Sequence, residues 1–282
     1  ARLRRLDETA EILMVERGPY VSYANCGLPY HVGGVIARES SLLVADERTF
    51  RTQFAIDVRT RCEAIAIDRT HKTVDLRNAA TGAVTTESYD KLVLSPGATP
   101  VTPPLPGIDL PGVFRVRTVP DAKSIREWVE GHTTLASGLD AYTGYQTVLP
   151  AQRAVVVGGG FIGLEMAENL VHLGLQVTLL QRGAQLLSPM DAEMARYVAR
   201  HVARHGVELV LNADVSEFKQ AVHGALEVLT ADGQVYPADL VIMGIGVRPE
   251  TWLAQNAGLE IGSLGGIRVD DQMRTSDPDI FA

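Results

Sequence analysis

The sequence predicts an α/β fold built from two strand–helix–strand units with parallel sheets, and three observations predict it. The run Arg153-Ala-Val-Val-Val157 passes through a glycine turn into a helical pattern and then into a second apolar run. Helix and strand patterns continue to alternate after that point, which is the order a parallel sheet requires. A much earlier run, Glu11-Ile-Leu-Met-Val15, repeats the close of the same pattern, an apolar strand ending on a polar residue. With 282 residues, 46% of them hydrophobic, the chain can bury two cores of this kind.

In the complete unit the turn is Gly158-Gly-Gly-Phe-Ile-Gly163. The helix after it carries Ile162, Met166, Leu170 and Leu173 on one face, and Gly174 stops it before the strand Val177-Thr-Leu-Leu180. A second helix is predicted from about Asp191 to His205, closed by Gly206, followed by the strand Val207-Glu-Leu-Val-Leu211. In the first unit a basic helical segment precedes the strand that ends at Glu16. Gly163 lies 18 residues before Gln181, so the same spacing would put the last glycine of the first unit about two residues before Ala1. The chain is therefore expected to begin inside a helix, just after a phosphate loop. Between the units, Asp90-Lys-Leu-Val-Leu-Ser-Pro-Gly-Ala98 reads as a strand entering a tight turn. The proline-rich stretch from Pro100 to Pro111 reads as a passage between domains, and Gly131 to Gln152 as a surface insertion.

Several function classes lack support. A formal charge of −8 provides no basic surface for nucleic acid. No stretch reaches the roughly 18 apolar residues of a membrane span, and Ala1 to Arg5 lacks the apolar core of a signal peptide, so a cytoplasmic protein is expected. Cys26 and Cys62 are too few for a disulfide framework and suit a reducing compartment. Zinc-ligand spacing, a Gly-x-Ser-x-Gly elbow and a His-Glu-x-x-His helix are all missing, so no metal is expected.

The chemistry rests on a few positions. A Gly-x-Gly-x-x-Gly turn by itself is a weak signal, but here a strand precedes it and a helix follows, which is the Rossmann fingerprint context. Gly158 permits the tight turn, Gly160 lets the backbone approach a pyrophosphate, and Gly163 lets helix pack on strand. The plain alternative is a glycine-rich turn in an unrelated α/β fold. At the end of the next strand, where an acid would bond a ribose 2′-hydroxyl, stand Gln181 and Arg182, a pair that tolerates a 2′-phosphate; the choice between NADH and NADPH stays open. Glu16 holds the matching place in the first unit and would serve a second dinucleotide, or else simply ends a strand in solvent. Cys26 follows within Ser22-Tyr-Ala-Asn-Cys-Gly-Leu-Pro-Tyr30, with Pro29 suited to a first helical turn. A thiol set at a helix N-terminus is biased toward the thiolate that attacks sulfur, whereas a cysteine without such context usually fills a core. Cys62, on the apolar alternation to Ile67, fits the packing role. His31 stands five residues after Cys26, where a dithiol reductase would need its second cysteine.

Taken together, Ser22 to Tyr30, Leu94-Ser-Pro-Gly-Ala-Thr99, Gly158 to Glu165, Met190-Asp-Ala-Glu-Met194 and Thr275-Ser-Asp-Pro-Asp-Ile-Phe-Ala282 resemble the single-cysteine pyridine nucleotide-disulfide oxidoreductases. Within that group the resemblance is greatest to coenzyme A-disulfide and persulfide reductases, with NADH oxidases next. It implies two Rossmann-like dinucleotide-binding domains: an FAD domain over 1–118 that resumes at 247–282, and an NAD(P) domain over 119–246. Its cofactors would be FAD and NAD(P)H. Cys26 would cycle between thiolate and a mixed disulfide with coenzyme A, or a sulfenate in the oxidase branch, with Arg5, Ser22 and Asn25 binding substrate. The implied cofactor-binding residues are Glu16, Arg17, Ser95, Pro96, Gly97, Gly158, Gly160, Phe161, Ile162, Gly163, Glu165, Gln181, Arg182, Gly244 and Gly246. The family continues past the position of Ala282 into a Gly-Asp pair and a dimerisation domain, so a homodimeric parent is implied. A reading of a different class is a non-catalytic NAD(P)H-binding or redox-sensing fragment; a flavin-free dehydrogenase would leave Cys26 unexplained.

Overall fold

A computed structural model of the chain describes residues 2–131, 150–221 and 225–282. The insertion expected between Gly131 and Gln152 lies, for 132–149, outside the described residues. By compactness the chain forms two units, one of Ala1–Tyr23, Leu43–Thr99 and Val247–Ala282, the other of Ala24–Leu42 and Pro100–Gly246. These bounds differ from the cofactor-based division at 118/119: residues 24–42 and 100–118 group with the fingerprint segment.

The larger unit is organised by a five-stranded, wholly parallel sheet in the order Val113–Arg115, Leu240–Met243, Arg153–Val157, Gln176–Gln181, Val207–Leu211. Strands buried on both faces read as continuous apolar runs, which is why Arg153–Val157 and Leu240–Met243 carry so few polar residues. The predicted helices form over Phe161–His172 and Ala192–Arg204, and the predicted strands to within a residue. A three-stranded antiparallel sheet, Val215–Gln220, Leu226–Thr230 and Val235–Ala238, shares its core through Phe218, Leu226 and Val228 packed with Val155, Leu180 and Val241. The helix Val119–Glu130 opens on a capping box, Thr118 with Asp121, has Pro120 in its first turn and ends on Gly131 at φ +77°.

One carboxylate ties this sheet together. Asp239 accepts from the backbone N–H groups of Gln152 (3.0 Å) and Arg153 (2.9 Å) and from the Arg153 guanidinium (2.8 Å), while its own carbonyl accepts from the Trp128 indole (2.8 Å). Burial alone would raise the Asp239 carboxyl, but the Arg153 guanidinium and the two amides outweigh it, and the net direction is down. A carboxyl depressed on folding contributes stability above its unfolded titration range, and loses it as pH falls through the folded value. Asp239→Ala is therefore expected to cost about 2 kcal/mol at neutral pH, given the worth of hydrogen bonds to a charged group. Denaturant titrations along a descending pH series should show the gap from wild type closing in acid.

The smaller unit holds two short parallel pairs, Leu13–Val15 with Asp57–Arg59 and Leu92–Val93 with Ile280–Phe281, and an antiparallel sheet of Cys62–Asp68, Thr73–Asn78 and Val84–Ser88. The strand expected over Glu11 to Val15 is confined to its last three residues. The segment from Asp90 to Ala98 breaks into two strands, because Gly97 at φ +74° turns the chain before Ala98–Pro100. Cys62 is 7% exposed and packs with Val74 and Leu76, as its alternating pattern predicts. Helix Glu47–Phe54 is capped by Asp46, whose carboxylate accepts from the Thr49 N–H (2.8 Å), and closes on Ala55 in the left-handed region. Arg4, from the short helix Arg2–Leu6, donates to the carbonyls of Phe54 (3.0 Å) and Ala55 (2.8 Å), satisfying C-terminal acceptors that helix geometry leaves open.

Candidate functional site

The glycine turn of the larger unit is forced by contact. Gly158 sits at φ +106°, a region L side chains rarely adopt, and a Cβ there would meet the Gly244 carbonyl oxygen at 2.5 Å. A Cβ on Gly163 would lie 1.9 Å from the Gly158 oxygen, so helix and strand meet backbone to backbone. The Gly244 N–H donates to the Val157 carbonyl (2.8 Å), which locks the neighbouring strand end against the turn. Gly160, by contrast, would meet nothing within 4 Å if it carried a Cβ. It precedes the twelve-residue helix Phe161–His172, whose first N–H groups lack intrahelical partners and present partial positive charge. A loop closed on the protein side and open on the other fits a bound pyrophosphate. Phe161, the first residue of that helix, is 71% exposed. Gly246, at φ +104°, follows the strand end that carries Gly244.

Gln181 takes a role the sequence does not announce. Its Oε1 accepts from the Gly159 N–H at 2.8 Å, while the Gly159 carbonyl accepts from the Leu187 N–H (2.9 Å). The side chain thus clamps the glycine turn. Arg182 is exposed and forms no hydrogen bond or ion pair among the described residues.

Cys26 is exposed, in a 3-10 turn, Asn25–Gly27, that runs straight into the helix Leu28–Val32 with Pro29 in its first turn. Four contacts fix this segment. The Ala24 N–H donates to the Leu42 carbonyl (2.8 Å), and Gly27 leaves room for Leu42 and Ile36, which a Cβ would meet at 2.8 and 3.0 Å. His31, buried, faces the Ile36 carbonyl through Nδ1 (2.8 Å); a carbonyl can only accept, so Nδ1 carries the proton. The fourth contact decides position: a Cβ on Gly33 would lie 2.1 Å from Oδ1 of Asn169, a buried residue whose Nδ2 donates to the Glu165 carbonyl (2.8 Å). The helix after Cys26 therefore packs closely on the fingerprint helix.

That packing encloses a cavity of about 190 Å³ lined by Asn25, Cys26, Pro29 and Arg117 together with Ile162 and Glu165. Spacing of three along the fingerprint helix puts Ile162 and Glu165 on one face. Burial, and secondarily the Glu168 carboxylate, hold the Glu165 carboxyl above its ordinary range. The cavity thus brings together four of the sequence-predicted positions, Asn25, Cys26, Ile162 and Glu165. Leu28, Pro29, Val116 and Arg117 complete the lining, and of these the sequence marks only Pro29, as a first-turn residue rather than as part of a site. No group of three or more metal-ligating side chains occurs among the described residues.

The remaining predicted positions lie in the smaller unit. Glu16 ends the strand Leu13–Val15, and its Oε1 accepts from the Gly18 N–H (2.6 Å). Arg17 is exposed beside it, Ser22 is half-buried in the strand pair with Leu43–Ala45, and Arg5 is exposed on the first helix. Ser95, Pro96 and Gly97 form an exposed turn at a parallel strand end, the customary place for ligands in α/β sheets. Sequence reasoning did not single out Glu250, which accepts from the Thr99 hydroxyl (2.7 Å) and the Trp252 N–H (3.2 Å). Those bonds hold its carboxyl below the usual range.

A parallel sheet with a ligand-ready glycine fingerprint at its strand ends defines an α/β dinucleotide-binding protein. The chain belongs to the pyridine nucleotide-disulphide oxidoreductase family, whose profile matches residues 1–282. It is 33% identical over 275 residues to an NADH oxidase of Enterococcus faecalis, covering 97% of this chain and 57% of that protein. It is 30% identical over 282 residues to a coenzyme A disulfide reductase of Staphylococcus haemolyticus, covering all of this chain and 58% of that one. A crystal structure of reduced Bacillus anthracis CoADR-RHD superposes with a TM-score of 0.90 at 42% identity, over 100% of this chain and 47% of that one. The chain spans somewhat more than half the length of these curated relatives.

Proposed function

We propose that the protein is an FAD-dependent oxidoreductase that passes electrons from NAD(P)H to a small disulfide of the coenzyme A type, or a persulfide, at Cys26. The observation that supports this most is the shared cavity, in which an accessible thiol and the N-terminal turn of the fingerprint helix line the same space. FAD, when bound, supplies the two-electron relay between nicotinamide and sulfur. In the smaller unit Glu16 and Arg17 would hold its adenosine ribose and Ser95 to Gly97 would touch it through their backbone; in the larger, the turn Gly158 to Gly163 would hold the NAD(P)H pyrophosphate.

The residues of this chain then carry a balanced exchange. The Cys26 thiolate attacks one sulfur of the substrate, forming a mixed disulfide and releasing the first thiolate. Two electrons and a proton return Cys26 to the thiolate and release the second half of the substrate as a thiol. Asn25, next to the sulfur, and Arg5 and Ser22 complete the proposed substrate set, and Glu165 offers the cavity a carboxyl whose pKa burial raises. Two unpaired cysteines accord with a reducing, cytoplasmic setting, and the reading includes a homodimer acting on a small molecule.

The resemblance to an NADH oxidase supports a second reading, in which Cys26 cycles through a sulfenate with oxygen as acceptor. Anaerobic turnover separates the two. On the reductase reading, NAD(P)H is consumed with coenzyme A disulfide in the absence of oxygen, one equivalent per disulfide cleaved. Consumption that requires oxygen and ignores the disulfide would establish the oxidase instead.

A further inference from the structure

We propose that His201 and His205, at the end of the helix Ala192–Arg204, form a two-ligand chelating site for a divalent cation of the copper, nickel and zinc class. The proposal is independent of the oxidoreductase reading. Residues four apart on a helix lie on one face, one turn above the other, and the two rings meet, their centroids 4.1 Å apart at a tilt of 34°. Both side chains are exposed, and neither forms an ion pair among the described residues.

His205 is prepared as a ligand. Its Nδ1 faces the His201 carbonyl at 2.8 Å; a carbonyl only accepts, so Nδ1 carries the proton and the bare lone pair of the neutral ring is on Nε2. Metal-bound imidazoles are held in this way, the second ring nitrogen donating to a carbonyl or carboxylate. The same carbonyl accepts the backbone N–H of His205 (3.2 Å), and Gly206 at φ +88° turns the chain away at once, so side chain and backbone together orient the ring. The ring of His201, with no hydrogen bond among the described residues, supplies the second lone pair. Rotation of that exposed ring opens the stack onto a shared ion without moving the backbone, and water completes the coordination.

The last turn of a helix carries the negative end of its dipole, which favours a cation. Arg200 and Arg204, exposed on the same helix, oppose it. Their charge disfavours a hard cation such as Mg²⁺, for which imidazole is a poor ligand, and leaves the metals that bond imidazole nitrogen strongly. The strand that follows, Val207–Leu211, begins opposite Val177, which in turn pairs with Ala154, so the histidines lie at the end of the parallel sheet opposite to the glycine turn.

Calorimetric titration of Ni²⁺ into the Cys26→Ser protein tests the site, the substitution removing the exposed thiol as a competing ligand. The expected result is a single saturable site, weakened about tenfold or more by His201→Ala and equally by His205→Ala, because loss of either ring ends chelation. Ni²⁺ should also raise the thermal midpoint of the Cys26→Ser protein, and of neither histidine variant made in it. Unchanged affinity in both variants would put the cation elsewhere, and loss in only one would reduce the pair to a single ligand. Either result overturns the chelate, as would the absence of saturable binding or displacement of Ni²⁺ by Mg²⁺.

Discussion

Cys26→Ser in the FAD-loaded protein is expected to leave reduction of the flavin by NAD(P)H in place and to lower disulfide turnover by about a thousandfold or more. A hydroxyl cannot form the mixed disulfide, and loss of a covalent nucleophile removes the pathway rather than weakening one contact. Stopped-flow flavin absorbance reads the first half-reaction, and anaerobic pyridine-nucleotide oxidation reads the whole. The neighbouring control is Cys62→Ser, which puts a hydroxyl among Val74 and Leu76 and should cost about 1 to 2 kcal/mol of stability with turnover retained. If both variants turned over normally, the accessible sulfur would have no part in the reaction.

The second large effect separates two glycines of the same turn. Gly163→Ala should destabilise the protein by about 3 kcal/mol, because its Cβ falls 1.9 Å from the Gly158 carbonyl oxygen, a backbone atom rather than the far end of a flexible side chain. Gly160→Ala should do the reverse: its φ of −84° suits any residue and its Cβ meets nothing, so the midpoint of thermal unfolding should hold. Nucleotide affinity should nevertheless fall at least tenfold, since the methyl would stand where the pyrophosphate approaches. Thermal melts and nucleotide titrations on the pair test this. Unchanged affinity in Gly160→Ala would mean that the open face of the loop is not where the nucleotide lies.

The parts of the molecule legible in the sequence are those written in local periods. The run Arg153–Val157, the glycine turn and the helix ending before Gly174 obey strand, turn and helix chemistry within about twenty residues, and they form as expected. The contrast between Cys62 and Cys26 was likewise local, one on an apolar alternation and one between Asn25 and Gly27. What the sequence hid depends on residues far apart. Gly33 resembles any loop glycine until Asn169 is brought against it, and Asp239 resembles any strand-edge acid until it gathers Gln152 and Arg153. The clamp from Gln181 to Gly159 spans 22 residues, and nothing local marks that side chain as one whose oxygen turns inward to the loop. The grouping of 24–42 with the fingerprint segment is of the same kind, since no boundary signal marks residues 23 or 42.

That grouping has a mechanical corollary. The exposed sulfur of Cys26 and the start of the fingerprint helix are parts of one compact body, spaced by the side-chain-free notch at Gly33 into which Asn169 is pressed. A single methyl driven into the notch would act as a shim, tilting the thiol's helix away from Ile162 and Glu165 from a point outside the cavity itself.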